Sequence, residues 1–177
     1  MFDILGSHTA FENHWVRLRE DAIRYPDGAE GVYAYIERPR YAVVAAVQDG
    51  RIWMVEQYRH PLRARSLELP MGVAPGGDAI PIEEAAAIEL REETGVTAQR
   101  LDYVGEIAPA PALIAQTGAL FLATGLTEGE QALEDTEQDL VAMALPVEEV
   151  LARACDGRIR DGATLASLGL LRLKGLI

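Results

Sequence analysis

Alternating apolar and polar residues in the early part of the chain predict β-strands. The stretch "HWVRLREDAIRY" (14–25) alternates, the turn-forming "PDGAEG" (26–31) follows it, and "VYAYIERP" (32–39) alternates again. Two such segments joined by a turn of this composition are typical of a β-hairpin. We therefore expect a β-hairpin that precedes the main core.

A second pair of strands is predicted on either side of Asp49-Gly50. The apolar runs "YAVVAAVQ" (41–48) and "RIWMVEQYR" (51–59) flank this dipeptide, which is a strong hairpin signal. "SLELP" (66–70) predicts a short strand after them. Further strands are expected at three places along the chain: around 101–108, 118–123 and 140–145.

Three helices are predicted from apolar periodicity and terminal residues. Residues 81–94 have Pro81 in the first turn, acidic residues near the positive end of the helix and Gly95 just past the end. "PVEEVLARAC" (146–155) and "DGATLASLGLLRLK" (161–174) predict the other two. A mixed sheet with helices on both sides, an α/β fold, is the simplest assembly of these elements.

The helix predicted over 81–94 places glutamates on an unexpected face. On a helical wheel Glu89, Glu92 and Glu93 fall within the apolar arc, whereas Arg91 lies on the opposite side. Buried unpaired carboxylates are costly, and a hard divalent cation such as Mg²⁺ would neutralise them. A solvated acidic helix is the alternative interpretation, because most charged residues are exposed.

Composition narrows the function classes. The 177 residues suit one domain with a sizeable core, and a net charge of −12 argues against binding to nucleic acid or to anionic membranes. Cys155 is the single cysteine, so neither a disulfide framework nor a cysteine zinc site is expected. No run approaches the roughly 20 apolar residues of a membrane span, and the N-terminus has no signal-peptide pattern. These features predict a cytoplasmic protein.

The segment "LPMGVAPGGDAIPIEEAAAIELREETGV" (69–96) resembles the Nudix box. The motif runs glycine, five residues, glutamate, seven residues, Arg-Glu, an aliphatic residue, any residue, Glu-Glu, any residue, glycine and an aliphatic residue. Gly72 matches its first glycine. The end of the box matches in register at six positions: Glu89, Leu90, Glu92, Glu93, Gly95 and Val96. The resemblance implies the Nudix fold, an α/β/α sandwich with a mixed sheet.

Other stretches resemble the ADP-ribose and nucleotide-sugar pyrophosphatase branch of that family. They are "YPDGAEG", "VEQYRHP", "SLELPMG" and the closing "DGATLASLGL", so the likeness spans roughly residues 14–172. Proteins of this branch are commonly homodimers that exchange N-terminal strands. The resemblance therefore implies an N-terminal β-hairpin extension at residues 1–40, which would mediate dimerisation, and a Nudix hydrolase domain at residues 41–177.

The resemblance also implies metal-dependent chemistry at the acidic helix. Glu89, Glu92 and Glu93 would hold Mg²⁺, with Mn²⁺ as the other candidate, and a carbonyl of Met71 or Gly72 would assist. Glu93 is expected to be a catalytic residue as well as a metal ligand. The substrate would be a nucleoside diphosphate linked to another group.

Four further residues are candidates for the reaction. The resemblance to the branch implies a glutamate that positions or deprotonates the attacking water, and in the acidic stretch 128–141 Glu137 is the first choice and Glu134 the second. A solvated acidic loop is the alternative for that stretch. Arg59 would contact a substrate phosphate or orient a glutamate, the alternative being a surface arginine. Tyr35 would stack on a base, with core or interface packing as its alternative.

The match departs from the box pattern at three points. Asp78 stands near the position of the pattern's first glutamate, and the segment from there to Glu89 is two residues longer. Ile88 occupies the arginine position, where a cation would lie four residues before Glu92 and offset repulsion. Arginines elsewhere are candidates to supply that charge: Arg59, Arg63 and Arg65. Glu68, just before the box, is either a supporting carboxylate or a solvated strand residue.

The predicted reaction is hydrolysis of the pyrophosphate bond of ADP-ribose or a nucleotide-sugar, giving a nucleoside monophosphate and a sugar phosphate. Two alternatives stay open. One is a Nudix hydrolase of another nucleoside polyphosphate. The other is a Nudix-fold module that binds a nucleotide metabolite with weak or lost catalysis, and Ile88 together with the lengthened segment before Glu89 motivates it.

Overall fold

Residues 1–73, 79–133 and 137–177 are described by a computed structural model of the chain. The strands are β1 Asp3–Glu12, β2 Arg17–Arg24, β3 Glu30–Glu37, β4 Tyr41–Gln48, β5 Arg51–Arg59, β6 Ala64–Glu68, β7 Met71–Gly72, β8 Thr97–Ile107, β9 Ile114–Ala115, β10 Gly118–Thr127 and β11 Val141–Pro146. The helices are α1 Ile82–Thr94, α2 Val147–Cys155 and α3 Gly162–Leu173, with a short 3₁₀ turn at His60–Leu62. The chain forms two compact units, the first made of Met1–Pro39 with Ala108–Gln116 and the second of Arg40–Ile107 with Thr117–Ile177.

The first unit is a sheet with the strand order β1-β2-β3-β9. The predicted hairpin is confirmed, since β2 and β3 pair in antiparallel register from Arg17 opposite Glu37 to Arg24 opposite Glu30. Its turn contains Gly28, whose φ of 88° favours glycine. β1 was not predicted. All its residues are exposed, so they carry no buried-face pattern by which alternation could reveal a strand.

The second unit contains a sheet with the order β11-β5-β4-β10-β8, in which β4 and β10 run parallel. β4 and β5 pair only next to their turn, at Val47–Ile52 and Gln48–Arg51, and then diverge. Beyond that point β7 pairs with β4 and β6 pairs with β5. The divergence places the segment that joins β6 to β7 inside the sheet.

Alternation along β4 creates two separate cores, one on each face of this sheet. Ala42, Val44 and Ala46 pack with residues of α1, whereas Tyr41, Val43 and Ala45 pack with residues of α2 and α3. Residues 41–46 are all buried, as expected for a central strand that is covered on both faces. The second unit therefore has the predicted layers, with helices on both sides of a mixed sheet.

The predicted helices occur within about one residue of their expected ends, the usual uncertainty of helix boundaries. α1 starts after Pro81 and ends before Gly95, whose φ is 74° and whose N–H donates to the carbonyl of Arg91. Asp161 caps α3 by accepting a hydrogen bond from the Thr164 N–H. None of the described helices is both long and apolar enough to cross a membrane.

Candidate functional site

Two of the three helix glutamates are buried against the sheet. Glu93 is 1% exposed and Glu89 is 8% exposed, on the same side of α1 as Ala85, Ala86 and Leu90. Glu92 is only half-buried, and its carboxylate lies 4.0 Å from the exposed guanidinium of Arg91. The predicted burial of acidic residues in the apolar arc is confirmed for Glu89 and Glu93. Arg91 is exposed, as expected for its place opposite the apolar arc, and only the end of its side chain approaches Glu92.

Gly72 lies directly against the carboxylate of Glu89. A Cβ atom added to Gly72 would fall 2.3 Å from Oε2 and 2.6 Å from Oε1 of that side chain. Any side chain at the first glycine of the box would therefore displace the Glu89 carboxylate, whereas the backbone of Gly72 is not left-handed. Strand β7 and helix α1 fix the position of the Glu89 carboxylate between them.

The second buried carboxylate, Glu93, is tied to the same strand. Its Oε2 accepts a hydrogen bond of 3.0 Å from the N–H of Met71. Burial raises the pKa of Glu93 well above its ordinary value, and the negative charges of Glu137 and Glu89 raise it further. The Met71 N–H and the positive charge of Arg59 offset part of this rise in pKa. Burial and the two neighbouring carboxylates therefore outweigh these two contacts in setting the pKa of Glu93.

Arg59 and Glu68 form a two-point ion pair beside this carboxylate. Nε and Nη2 of Arg59 donate to the two carboxylate oxygens of Glu68 at 3.0 and 2.6 Å. Glu68 is 3% exposed, so it is a buried partner and not a solvated strand residue. Arg59 stays 39% exposed at its side chain, and the N–H groups not used by Glu68 are available to an anion. It is positioned both to hold Glu68 and to meet a phosphate.

The loop that leads toward Glu137 is attached to the C-terminal end of α1. The Ala132 N–H donates to the carbonyl of Glu92 at 3.0 Å, and the side-chain amide of Gln131 donates to the carbonyl of Glu93. Gly95 also packs against this loop, because a Cβ there would fall 2.6 Å from the carbonyl oxygen of Gly129. Helix-end carbonyls that lack partners within the helix thus anchor the acidic loop.

Glu137 itself is close enough to Glu93 to raise its pKa, as described above. Two residues farther on, Asp139 accepts hydrogen bonds of 2.9 Å from the Tyr58 N–H and from Nη1 of Arg65. These contacts fix the end of the segment to β5 and β6. Glu134 and Asp78 lie outside the described residues.

Ile88 stands where the box has an arginine, so that positive charge is absent. Arg65 does not replace it, because Arg65 pairs with Glu56 and Asp139. Arg59 is the candidate arginine whose positive charge reaches a glutamate of α1, since it lowers the pKa of Glu93. Arg91 is exposed and lies 4.0 Å from a carboxylate oxygen of Glu92, so this pair contributes little.

The chemistry of these groups suits a divalent cation, although no three-residue cage is assembled. Among the described residues, no three His, Cys, Asp or Glu side chains are placed to hold one ion together. Mg²⁺ is often bound through one or two carboxylates, with water and substrate phosphates completing its shell. The buried oxygens of Glu89 and Glu93, next to the backbone of Met71 and Gly72, match that requirement, and a cation would relieve the repulsion that raises the pKa of Glu93.

Comparison with known proteins decides the family. A family model described as the NUDIX domain matches residues 37–164. The chain belongs to the Nudix family. A model described as the nucleoside diphosphate sugar hydrolase N-terminal domain matches residues 2–36. The predictions of a Nudix α/β fold and of a Nudix hydrolase are confirmed.

Relatives of this Nudix hydrolase cover most of its length. It is 31% identical over 169 residues to ADP-ribose pyrophosphatase of Mycobacterium tuberculosis, covering 94% of this chain and 81% of that protein. It is 29% identical over 172 residues to ADP-ribose pyrophosphatase of Bacillus subtilis (96% and 92%). It is 30% identical over 168 residues to the methanol dehydrogenase activator of Bacillus methanolicus (93% and 89%). An ADP compounds hydrolase structure shares the fold, with a TM-score of 0.85, 20% identity, and coverage of 99% of this chain and 95% of that one.

Some residues that shape the Nudix site were not found from the sequence. Thr164 accepts a buried hydrogen bond of 3.0 Å from the Leu69 N–H, 95 positions away. This contact ties α3 to the segment that carries Met71 and Gly72. The resemblance of "DGATLASLGL" marked α3 as typical of the branch, but gave no indication of its partner. The anchoring role of Gln131 had no sequence signal.

Proposed function

We propose that this Nudix hydrolase cleaves the pyrophosphate bond of ADP-ribose or a related nucleotide-sugar, giving a nucleoside monophosphate and a sugar phosphate. The proposal is carried by the buried pair Glu89 and Glu93, held against Met71 and Gly72. Full-length similarity to two ADP-ribose pyrophosphatases supports a nucleoside diphosphate-linked small molecule as the substrate.

The proposed metal ligands are Glu89, Glu92 and Glu93, with a carbonyl of Met71 or Gly72. Mg²⁺ is the proposed ion and Mn²⁺ the substitute, because both favour oxygen ligands. When bound, such an ion polarises phosphate oxygens and lowers the pKa of water. Glu92 is half-buried and would turn toward Glu89 and Glu93 to join them.

The remaining proposed roles belong to residues around this centre. Glu137 would accept a proton from the attacking water or orient it, and Glu134 is the second candidate. Glu93 is proposed as a catalytic residue as well as a metal ligand, because the charge of Glu137 raises its pKa and the two carboxylates therefore influence each other. Arg59 would donate to a substrate phosphate with the N–H groups that Glu68 leaves available. Tyr35 would stack on the base.

The test of this function is a substrate panel on purified protein. ADP-ribose, several nucleotide-sugars and nucleoside triphosphates would each be offered with Mg²⁺, with Mn²⁺ and with EDTA. We expect metal-dependent cleavage of the diphosphate-linked sugars, with products identified by chromatography. Preferential cleavage of nucleoside triphosphates would contradict the substrate class while leaving the hydrolase intact. Glu137→Gln is expected to lower kcat by about 10²–10⁴-fold with little change in KM, the usual range for general-base removal.

A second candidate function is binding of a nucleotide metabolite with weak catalysis. The half-buried Ile88 favours it, because no charge from that position supports Glu92. Saturable ADP-ribose binding without turnover under Mg²⁺ or Mn²⁺ would select this function. The variant Ile88→Arg would then be expected to gain activity, whereas the exposed control Ala87→Arg would not.

A homodimer formed through the N-terminal region, residues 1–40, is the proposed assembly. The first unit exposes large apolar side chains along its sheet and turns: Ile4, Leu5, Phe11, Trp15 and Val32. Three of them, Ile4, Leu5 and Phe11, lie on the edge strand β1, and exposed apolar side chains on an edge strand are typical of an interaction surface. Light scattering after size exclusion should report a dimer. Phe11→Glu combined with Val32→Glu should yield monomers, and an unchanged dimer in that variant would contradict this interface.

A further inference from the structure

A cavity of about 360 Å³ in the second unit is lined by four arginines: Arg65, Arg153, Arg158 and Arg160. Glu56 is the acidic residue among its described lining. The chain has 16 cationic residues and a net charge of −12, so four arginines around one cavity are a strong local concentration of positive charge. Its volume lies within the usual range of small-molecule sites.

This arginine cavity lies on the face of the sheet opposite the ion pair of Arg59 and Glu68. Glu56 of β5 is directly opposite Leu67 of β6, and both line the cavity. The neighbouring pair is Val55 and Glu68, and successive residues of a strand point to opposite faces. The cavity is therefore separate from the Nudix site.

The turn between α2 and α3 presents two of these arginines. Gly157, with a φ of 81°, reverses the chain after α2, and Ile159 is buried with 1% exposure. Arg158 and Arg160 flank Ile159 and are exposed. Burial of Ile159 fixes the backbone of the turn, and both arginines beside it line the cavity.

Not all the hydrogen-bond donors of the arginines are used. Arg65 makes four hydrogen bonds to Glu56 and Asp139, so its role at the cavity is structural. Arg153 donates from Nη2 to Glu149, while its buried Nε has no hydrogen-bond partner in the described part of the chain. A ligand would meet Arg153 through Nη1, which makes no hydrogen bond with the described residues and is not among the buried atoms.

Donors also remain on the exposed turn. Arg158 uses Nε and Nη2 for Asp156, which leaves Nη1. Arg160 makes no hydrogen bond or ion pair with the residues that the structure describes. Three guanidinium groups with spare N–H donors, from Arg153, Arg158 and Arg160, thus converge on one cavity.

We propose that the arginine cavity binds a phosphate-bearing anion such as an oligophosphate or a sugar phosphate. Tetrahedral phosphate oxygens can accept from several guanidinium groups at once, and arginine matches their geometry. None of the described lining residues is aromatic, so no base-stacking surface accompanies the charges. The phosphate group is therefore the part of the ligand that this cavity recognises.

Calorimetric titration of the full-length protein tests this proposal. Sodium pyrophosphate and ribose 5-phosphate would be titrated separately in EDTA, with sodium sulfate at matched ionic strength as the reference anion. EDTA removes metal-dependent binding at the Nudix site, so the outcome does not depend on the proposed hydrolysis. We expect saturable binding of a phosphate ligand with a Kd below about 1 mM. The tighter of the two ligands identifies the oligophosphate or the sugar-phosphate class.

Three variants make the test specific. Arg158→Gln combined with Arg160→Gln should weaken binding at least about tenfold, because phosphate contacts would be lost at exposed positions that the fold does not need. Arg100→Gln, an exposed arginine on β8 that pairs with Asp102, should bind as the wild type does. Glu93→Gln should also bind normally.

Several results would overturn the proposal. They are no saturable binding to the wild type, equal binding of sulfate, unchanged affinity in the Arg158 and Arg160 double variant, or loss of binding in Glu93→Gln. Loss of binding in Glu93→Gln would indicate that the anion binds at the Nudix site. Circular dichroism would confirm that each variant is folded before its affinity is compared.

Discussion

Close packing between Gly72 and Glu89 makes a single methyl group a test of the site. Gly72→Ala would place a Cβ within 2.3–2.6 Å of the carboxylate oxygens of Glu89. The φ of Gly72 is not positive, so alanine fits the backbone, and the flexible carboxylate must move instead. If Glu89 is a metal ligand as proposed, activity and metal affinity should fall by about 10–100-fold, with little loss of stability.

Steady-state kinetics across a Mg²⁺ titration, together with thermal unfolding, would measure both effects. Gly169→Ala is the matched control, because a Cβ at Gly169 of α3 meets no atom within 4 Å. It should retain activity and be as stable as the wild type or slightly more so. A Gly72→Ala protein with normal Mg²⁺ dependence would show that the Glu89 carboxylate has no role in metal binding.

Single residues also show where sequence information stops. The wheel placed Glu89 and Glu93 on the buried face correctly, because periodicity alone determines which side of a helix meets the sheet. The sequence pattern did not determine that Glu68 is buried, because its burial depends on the ion pair with Arg59 of the neighbouring strand. Local periodicity does not reveal contacts between segments that are distant in the sequence.

Among the secondary-structure elements, helix α3 supports the segment between β6 and β7 through a buried hydrogen bond. Thr164 lies in the first turn of α3, and its hydroxyl accepts from the Leu69 N–H at 3.0 Å. Thr164→Val keeps the shape of the side chain but leaves a buried N–H without its partner, which costs about 1–3 kcal/mol. We expect the Tm to fall by about 2–4 °C per kcal/mol and kcat to fall, because Met71 would hold Glu93 less firmly.

Thr164→Ser is the matched control, because it keeps the hydroxyl and loses only a methyl group. It should recover most of the wild-type kcat even where its Tm is somewhat reduced. Differential scanning fluorimetry and single-substrate kinetics would separate the two properties. If valine and serine at this position had equal kcat values, the hydrogen bond would have no positioning role.

Elements with an apolar pattern along the chain were predicted well, and those without such a pattern were not. β4, β5 and the three helices follow their apolar patterns, whereas β1 has no buried residue. The two-residue strands β7 and β9 are too short for any periodicity, and only pairing with β4 and β3 defines them. The divergence of β4 from β5, which admits β7 beside α1, is a property of pairing and not of either strand's sequence.

For the molecule as a whole, the buried carboxylates of the acidic site lower stability at neutral pH when no cation neutralises them. The folded-state pKa of Glu93 is raised, mainly by burial and then by Glu137 and Glu89. A raised carboxyl pKa contributes stability that is complete below the unfolded pKa and is lost as pH rises through the folded value. The pKa values of Asp139 and Asp156 are lowered, so these two residues have the opposite effect. Their contribution to stability is lost as pH falls below their ordinary pKa of 3.8. In EDTA, the free energy of unfolding should therefore decline as pH rises above about 4.5, the ordinary pKa of glutamate.

Glu93→Gln isolates this effect, since glutamine still accepts from the Met71 N–H but cannot ionise. At pH 8 in EDTA we expect the variant to melt about 2–4 °C above the wild type, the shift that about 1 kcal/mol produces in a domain of this size. The difference should vanish near pH 4 and shrink when saturating Mg²⁺ stabilises the wild type alone. The exposed Glu84→Gln on α1 should show no such gain at any pH. A Glu93→Gln protein less stable than the wild type in EDTA at pH 8 would mean that the Glu93 charge is already neutralised within the folded chain.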